Sequence, residues 1–345
     1  RAPARVTARD LQLPLESPKA VVLLGIRRSG KTFILYETMR RLVEKGADRR
    51  CLIHLNFEDD RLLPIRADEL DSILKAHAEL YPDLAGRRRW LFLDEVQNAS
   101  GWEKYVRRIL DTENVRVFVT GSSSVLLQRN IASAMRGRSI SFEVFPLSFA
   151  EFLRFRNIEW KRYSPASESR VAAALEEYLQ TGGFPEVVLA DATLRLKILK
   201  EYMDLIIYKD LLERYSLDNP YLVRLMLRQF LSQPASFLTV HKLHNDLRSQ
   251  GIRVSKNTLY EYLDHMVESY IIFAVPKHSR SVRKQAVNPR KIFTIDAALS
   301  RVFATDRTAA ALLPANEGEI WARLIRLLGA ADRAVISMAA AQGFC

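Results

Sequence analysis

Val21-Val22-Leu23-Leu24-Gly25-Ile26-Arg27-Arg28-Ser29-Gly30-Lys31-Thr32 decides the fold. Four apolar residues run into a Gly-x-x-x-x-Gly-Lys-Thr loop, and Phe33 to Leu42 follow with Ile34, Leu35, Met39 and Leu42 at helical spacing. The order strand, loop, helix is the context a phosphate loop requires. Its glycines let backbone N–H groups turn onto an anion, and the helix N-terminus adds a positive field behind them. Gly25, Arg28, Ser29, Gly30, Lys31, Thr32 and Phe33 are the expected cradle, with Lys31 on the terminal phosphates and the Thr32 hydroxyl on Mg²⁺. An ordinary glycine loop would explain neither the Lys-Thr pair nor the strand before it.

Working outward, Cys51 to Phe57 reads as a second buried strand and Leu70 to Leu80 as a helix. Trp90-Leu91-Phe92-Leu93 then runs into Asp94-Glu95. Trp102 to Leu110 is helical, and Val115 to Val119 is a strand leading into Thr120-Gly121-Ser122-Ser123-Ser124. Strands alternating with helices predict an α/β fold, a mostly parallel sheet covered by helices on both faces. Ligands on such sheets sit beyond the carboxyl ends of the strands. Phosphate loop, acidic pair and serine cluster all fall there.

The roles separate. Asp94 is placed to hold Mg²⁺, directly or through water. Glu95, one residue on, can polarise a water for attack on a terminal phosphate. Transfer to an alcohol would not need that second carboxylate, so the pair favours hydrolysis. Thr120 or Ser122 suits a polar sensor of the terminal phosphate, although Gly-Ser runs are also common loop material.

The chain has 345 residues, enough for two or three domains, and 48% hydrophobic content suits filled cores. A formal net charge of +12 favours a polyanion partner, nucleic acid ahead of a membrane surface. Two cysteines, Cys51 and Cys345, imply no disulfide framework, and a reducing cytoplasm fits. No apolar run is long enough to span a bilayer, and no signal-peptide core opens the chain. It begins with Arg rather than Met, which leaves room for a preceding segment.

With the phosphate loop, Leu93-Asp94-Glu95-Val96-Gln97 and Val119-Thr120-Gly121-Ser122-Ser123 in place, the chain resembles the prokaryotic AAA+-like ATPases that carry a C-terminal domain of unknown function. Arg136-Gly137-Arg138, Phe145-Pro146-Leu147-Ser148-Phe149-Ala150-Glu151-Phe152, Thr181-Gly182-Gly183-Phe184-Pro185-Glu186-Val187 and Asn288-Pro289-Arg290-Lys291-Ile292-Phe293 are similar to further landmarks of that family. The resemblance covers roughly residues 16 to 303. It implies an ATPase core, a helical lid, a winged helix and then a nuclease-like module. The last departs from the pattern: Ala309 to Cys345 is Ala- and Leu-rich without a spaced Glu/Asp/Lys set, so no nuclease activity is carried over. Gly329 to Cys345 reads as a truncated or frame-shifted remnant.

Arg138 is a candidate to stabilise transition-state charge on a neighbouring subunit's phosphate, with Arg136 its rival and a local carboxylate pair the plainer alternative. Ser148 with Glu151 three residues on spells a capping box, a structural feature. Phe149 to Arg156, Arg170 to Gln180 and Leu194 to Tyr215 are helical and compose the expected lid. Tyr221 to Ser232, Thr239 to Ser249 and Lys256 to Tyr270 are helices, the last two joined through a Gly251 turn that suggests helix-turn-helix. Ile271 to Pro276 and Lys291 to Ile295 read as strands of a wing. Between them Lys277, Arg280, Arg283, Lys284 and Arg290 gather without an acidic residue. The expected contacts to double-stranded DNA are Lys256, Asn257, Tyr260, Arg280, Arg283 and Lys284; the alternative is a protein-contacting module with solvated charges.

The expected organisation is an N-terminal arm (1–15), ATPase core (16–148), helical lid (149–215), winged-helix domain (216–303) and tail (304–345). The expected activity is Mg²⁺-dependent ATP hydrolysis by a cytoplasmic protein, with ATP and Mg²⁺ as ligands and a homo-oligomer or protein partner open. One alternative is a slow nucleotide-controlled switch signalling to a protein partner without DNA. Another is a DNA-binding protein that keeps ATP as a structural ligand.

Overall fold

Ala20–Leu24 (β1) is buried at every position, as a central strand covered on both faces requires. In the computed structural model, which describes residues 7–62, 64–66, 68–122, 134–160, 164–232, 237–276 and 289–303, the chain divides into two units, Arg1–Phe145 and Pro146–Cys345. The first holds β1, a helix Lys31–Glu44 (α1), Leu52–Asn56 (β2), Ser72–Leu80 (α2), Arg89–Asp94 (β3), Trp102–Thr112 (α3), Val115–Gly121 (β4) and Ser139–Glu143 (β5). The strands form one sheet in the order β2-β3-β4-β1-β5, parallel at every pairing. The register sets Leu24 beside Gly121 and Asn56 beside Asp94, so four strands end together along one edge.

Side chains alternate across the sheet. Val21, Leu23, Phe92 and Phe118 share one face with Ile34, Leu35 and Leu42 of α1, and the rings of Phe92 and Phe118 stack 4.9 Å apart. Leu13 and Leu15, from the stretch expected as an arm, bury in the same cluster. Trp102, Tyr105, Val106 and Ile109 are the buried stripe of α3, spaced i, i+3, i+4, i+7, and none of them belongs to that cluster. Strand β5 went unread in the sequence: Ser139-Ile140-Ser141-Phe142-Glu143 is a half-exposed edge strand whose two apolar residues give little signal.

The second unit begins at a helix Phe149–Phe155, started by the expected capping box. Glu151 N donates to Ser148 Oγ at 3.2 Å, and Ser148 N donates back to Glu151 Oε2 at 2.9 Å. Helices Pro165–Thr181, Pro185–Leu189 and Ala192–Leu205 follow, the last continuing as a π-helix over Ile206–Glu213. Next come a helix Pro220–Ser232, a short strand Phe237–Leu238 (β6), helices Val240–Ser249 and Lys256–Glu268, strands Ile272–Pro276 (β7) and Arg290–Thr294 (β8), and a helix Leu299–Phe303. The three strands pair antiparallel in the order β6-β8-β7.

The Thr181-Gly182-Gly183 stretch has a packing reason. Gly183 N donates to Asp296 Oδ2 at 2.6 Å, Ala298 N donates to Asp296 Oδ1 at 2.8 Å, and Leu147 N donates to Gly183 O at 2.6 Å. A Cβ on Gly182, whose φ is +77°, would lie 2.0 Å from Asp296 Oδ1, and one on Gly183 would lie 2.4 Å from Leu147 O. Burial pushes the Asp296 carboxyl up to about 6, against the pull of its two backbone donors. Ser123 and Ser124, the basic residues Lys277, Arg280, Arg283 and Lys284 expected in a wing, and the tail 304–345 lie outside the described residues. Among the described residues no helix is long and apolar enough to cross a membrane.

Candidate functional site

The loop after β1 carries three strained or crowded positions. Gly25 has no room for a side chain, because a Cβ would sit 2.1 Å from the Val144 carbonyl oxygen. Arg28 takes φ +67°, and Gly30 caps α1 in the left-handed region at φ +97°. The N–H groups that open α1 at Lys31, Thr32 and Phe33 have no acceptor within their own helix, the condition for holding an anion. Ser29 is fully buried, and its Oγ has no hydrogen-bond partner among the described residues. A buried hydroxyl left in that condition at the floor of a phosphate loop fits a polar ligand.

Lys31 is buried, its Nζ donating to Gly25 O at 3.0 Å and Ile26 O at 3.2 Å, with Glu95 Oε1 3.7 Å away. Thr32 Oγ1 donates to Asp94 Oδ2 at 2.7 Å, and Thr120 Oγ1 donates to Asp94 Oδ1. Glu95 N in turn donates to Thr120 Oγ1 at 2.9 Å. Burial pushes the Asp94 carboxyl up, and the hydroxyls of Thr120 and Thr32 pull it back. Asp94 with Thr32 is a hard-oxygen pair of the kind that holds Mg²⁺ when phosphates and waters complete the shell. Among the described residues no group of three or more His, Cys, Asp or Glu gathers as a self-sufficient metal cage.

Strand β3 stops at Asp94 because Glu95 turns left-handed, φ +52° and ψ +50°. A non-glycine residue held there stores strain, a condition that clusters at functional sites. The turn leads into a short 3₁₀ segment, Val96–Asn98, that brings Gln97 back over Glu95. Gln97 Nε2 donates to Glu95 Oε2 at 2.5 Å and to Ser122 Oγ at 3.3 Å. Ser122 itself is buried at the end of β4. The structure thus brings Lys31, Thr32, Asp94, Glu95, Thr120 and Ser122 together at one edge.

Phe33 and Arg28 are exposed at the loop, Phe33 edge-on to Tyr36 with ring centroids 6.1 Å apart. Arg138 stands elsewhere. It precedes β5, whose first residue pairs with Ala20 at the start of β1, so a whole strand separates it from the loop of its own chain, about 16 Å at ~3.3 Å per residue. Its Nε donates to Asp111 Oδ1 at 2.8 Å. Arg136 takes φ +46° in the same turn.

Two residues escaped the sequence. Gln97 lay inside a quoted motif, but an amide can serve almost any role, and only its reach to Glu95 and Ser122 distinguishes it. Arg9 sits outside every motif. Its guanidinium donates to Ser29 O and Phe145 O, both at 2.9 Å, tying the N-terminal stretch to the phosphate loop.

Residues 17–153 match the family model described as an AAA domain, and residues 172–309 match a domain of unknown function. An uncharacterized protein of Methanocaldococcus jannaschii is 34% identical over 295 residues, covering 85% of this chain and 64% of that protein. An uncharacterized protein of Haemophilus influenzae is 27% identical over 282 residues, covering 81% of this chain and 68% of that one. The chain therefore spans about two thirds of the length of these relatives. Among solved structures, the ORC2 protein of Aeropyrum pernix aligns over 86% of this chain and 89% of its own, at 14% identity and a TM-score of 0.48. With its phosphate loop at the edge of a five-stranded parallel sheet, the chain carries an AAA domain followed by a domain of unknown function.

Proposed function

We propose that the chain is a Mg²⁺-dependent ATPase whose second unit contacts DNA. The observation that carries the ATPase reading is the joint position of Lys31, Thr32, Asp94 and Glu95 at the carboxyl edge of the sheet. Lys31 neutralises the terminal phosphates, and the α1 N-terminus receives the phosphate chain. Thr32 and Asp94 hold Mg²⁺, which when bound supplies positive charge to the phosphate oxygens. Glu95 takes a proton from the attacking water. Ser122, or Thr120 beside it, reads the terminal phosphate. Arg138 acts, on this reading, only across an interface between copies of the chain.

The DNA reading rests on the second unit. Its order of helix, strand, helix, helix, strand, strand, with β8 between β6 and β7, supports a winged helix. Lys256, Asn257 and Tyr260 are exposed at the start of the second helix of the pair, where a recognition helix presents its base-reading residues. The division into core 16–148, lid 149–215 and winged helix 216–303 belongs to the same proposal, and the break after Phe145 supports its first boundary.

The test is steady-state ATP hydrolysis with Mg²⁺, with and without duplex DNA, at low and moderate salt, for the wild type and Glu95→Gln. Turnover that DNA stimulates and salt weakens is the expected result, with Glu95→Gln binding ATP but not hydrolysing it. Turnover indifferent to DNA would transfer the reading to a switch acting on a protein partner. Full hydrolysis by Glu95→Gln would remove Glu95 from the mechanism.

A further inference from the structure

Glu95 is held from two sides. Its Oε1 lies 3.7 Å from Lys31 Nζ, and its Oε2 accepts from Gln97 Nε2 at 2.5 Å. The second hydrogen of that amide reaches Ser122 Oγ at 3.3 Å. A carboxylate can only accept, so the amide nitrogen must face Glu95 and the amide oxygen must face away. Gln97 Oε1 is then buried and has no hydrogen-bond partner among the described residues. Leaving a buried amide oxygen in that condition is costly, and a side chain chosen for stability alone would avoid it. What the orientation gains lies entirely on the nitrogen side, at Glu95 and Ser122.

The backbone prepares this contact. Glu95 enters the left-handed region at the end of β3, and the 3₁₀ segment that follows returns Gln97 over it within two residues. Ser122 comes from the end of β4, so one amide joins the ends of two neighbouring strands.

We propose that Gln97 is a positioning residue: by gripping Oε2 it turns the other carboxylate oxygen, Oε1, toward the phosphate-loop lysine, and it ties that orientation to Ser122. The inference rests on Glu95 being the base that activates water. A base oriented by a third group is the arrangement that activated-nucleophile sites share. Gln97 touches neither phosphate nor water in this role. Its removal therefore acts on the chemical step and leaves nucleotide binding alone.

The experiment uses the full chain and compares wild type, Gln97→Leu, Gln97→Glu, Glu95→Gln and the double variant Gln97→Leu/Glu95→Gln. The readouts are kcat, KM for ATP, affinity for a non-hydrolysable ATP analogue and thermal midpoint. Gln97→Leu keeps a side chain of similar bulk, one bond shorter, and loses both donors; the expected fall in kcat is roughly 10- to 100-fold, with KM and analogue affinity within about twofold. Gln97→Glu, which sets a carboxylate against a carboxylate, should fall at least as far. The double variant should match Glu95→Gln alone, since an orienter has nothing left to orient. Wild-type kcat in both Gln97 variants, with Glu95→Gln inactive, overturns the inference and leaves the Glu95 assignment standing. A wild type without ATP hydrolysis, or an active Glu95→Gln, overturns the assignment beneath it. Parallel losses of analogue affinity and thermal midpoint in both Gln97 variants would show a structural prop, which also overturns it.

Discussion

Two aspartates are buried at strand ends, Asp94 closing β3 in the first unit and Asp296 just past β8 in the second. Burial raises both carboxyls. Their donors differ. Asp94 is served by the hydroxyls of Thr32 and Thr120, which can rotate away and accept a new partner. Asp296 is served by the backbone N–H groups of Gly183 and Ala298, which cannot move without moving the chain, and the missing Cβ of Gly182 leaves space for its carboxylate. A buried acid held by exchangeable donors can trade them for a ligand. One held by backbone is a joint.

Asp94→Ala and Asp296→Ala should therefore fail in opposite assays. Asp94→Ala should lower ATP turnover by at least ~10³-fold, about 4 kcal/mol of transition-state stabilisation. Its folding stability should move by no more than about 1 kcal/mol, because the threonine hydroxyls can reorient. Asp296→Ala should cost about 3 kcal/mol of folding stability, since it strips two buried N–H groups of their acceptor. Urea unfolding beside turnover decides it. Equal stability losses at the two positions would dissolve the distinction.

The pH dependence sharpens the same contrast. Folded Asp296 titrates at about 6, against an ordinary 3.8. Between those values the folded chain keeps a proton that the unfolded chain has released. The stability this group contributes is thus complete below about pH 3.8, declines as pH rises to about 6, and is flat above. The decline amounts to about 3 kcal/mol. Urea midpoints from pH 4 to 7 should carry this component in the wild type and lack it in Asp296→Asn. Superimposable slopes would mean that Asp296 is not shifted.

The two sites were not equally legible in the sequence. The phosphate loop is a local backbone device, written in twelve consecutive residues, and Asp94-Glu95 follow a run of apolar residues that could only be a buried strand. The Asp296 joint needs the turn at Gly182-Gly183 to meet a residue 113 positions later, and no local period encodes that meeting. The glycines stood out in the sequence while their partner did not. The π-helix over Ile206–Glu213 was read as plain helix, because over two turns its apolar spacing differs too little from that of an α-helix. Gln97 was visible as a letter, but its role depends on a left-handed Glu95, and nothing in the residue type announces that conformation.

Arg138 offers the smallest expected effect on the isolated chain and tests where the site ends. It pairs with Asp111 at a half-exposed position, on the sheet edge opposite its own phosphate loop. An exposed pair of this kind is worth about 0.5 kcal/mol, so Arg138→Ala should scarcely change the urea midpoint. Its effect on hydrolysis should depend on protein concentration. Where copies associate, wild-type turnover per chain should rise above its dilute value, and Arg138→Ala should lose that rise, because a guanidinium on the far edge can reach a terminal phosphate only in a neighbour. Mixing Arg138→Ala with Glu95→Gln should then restore part of the activity, one chain supplying the base and the other the arginine. Mixtures no more active than the sum of their parts would confine Arg138 to its bond with Asp111, and the residues gathered around Asp94 would make up the whole site.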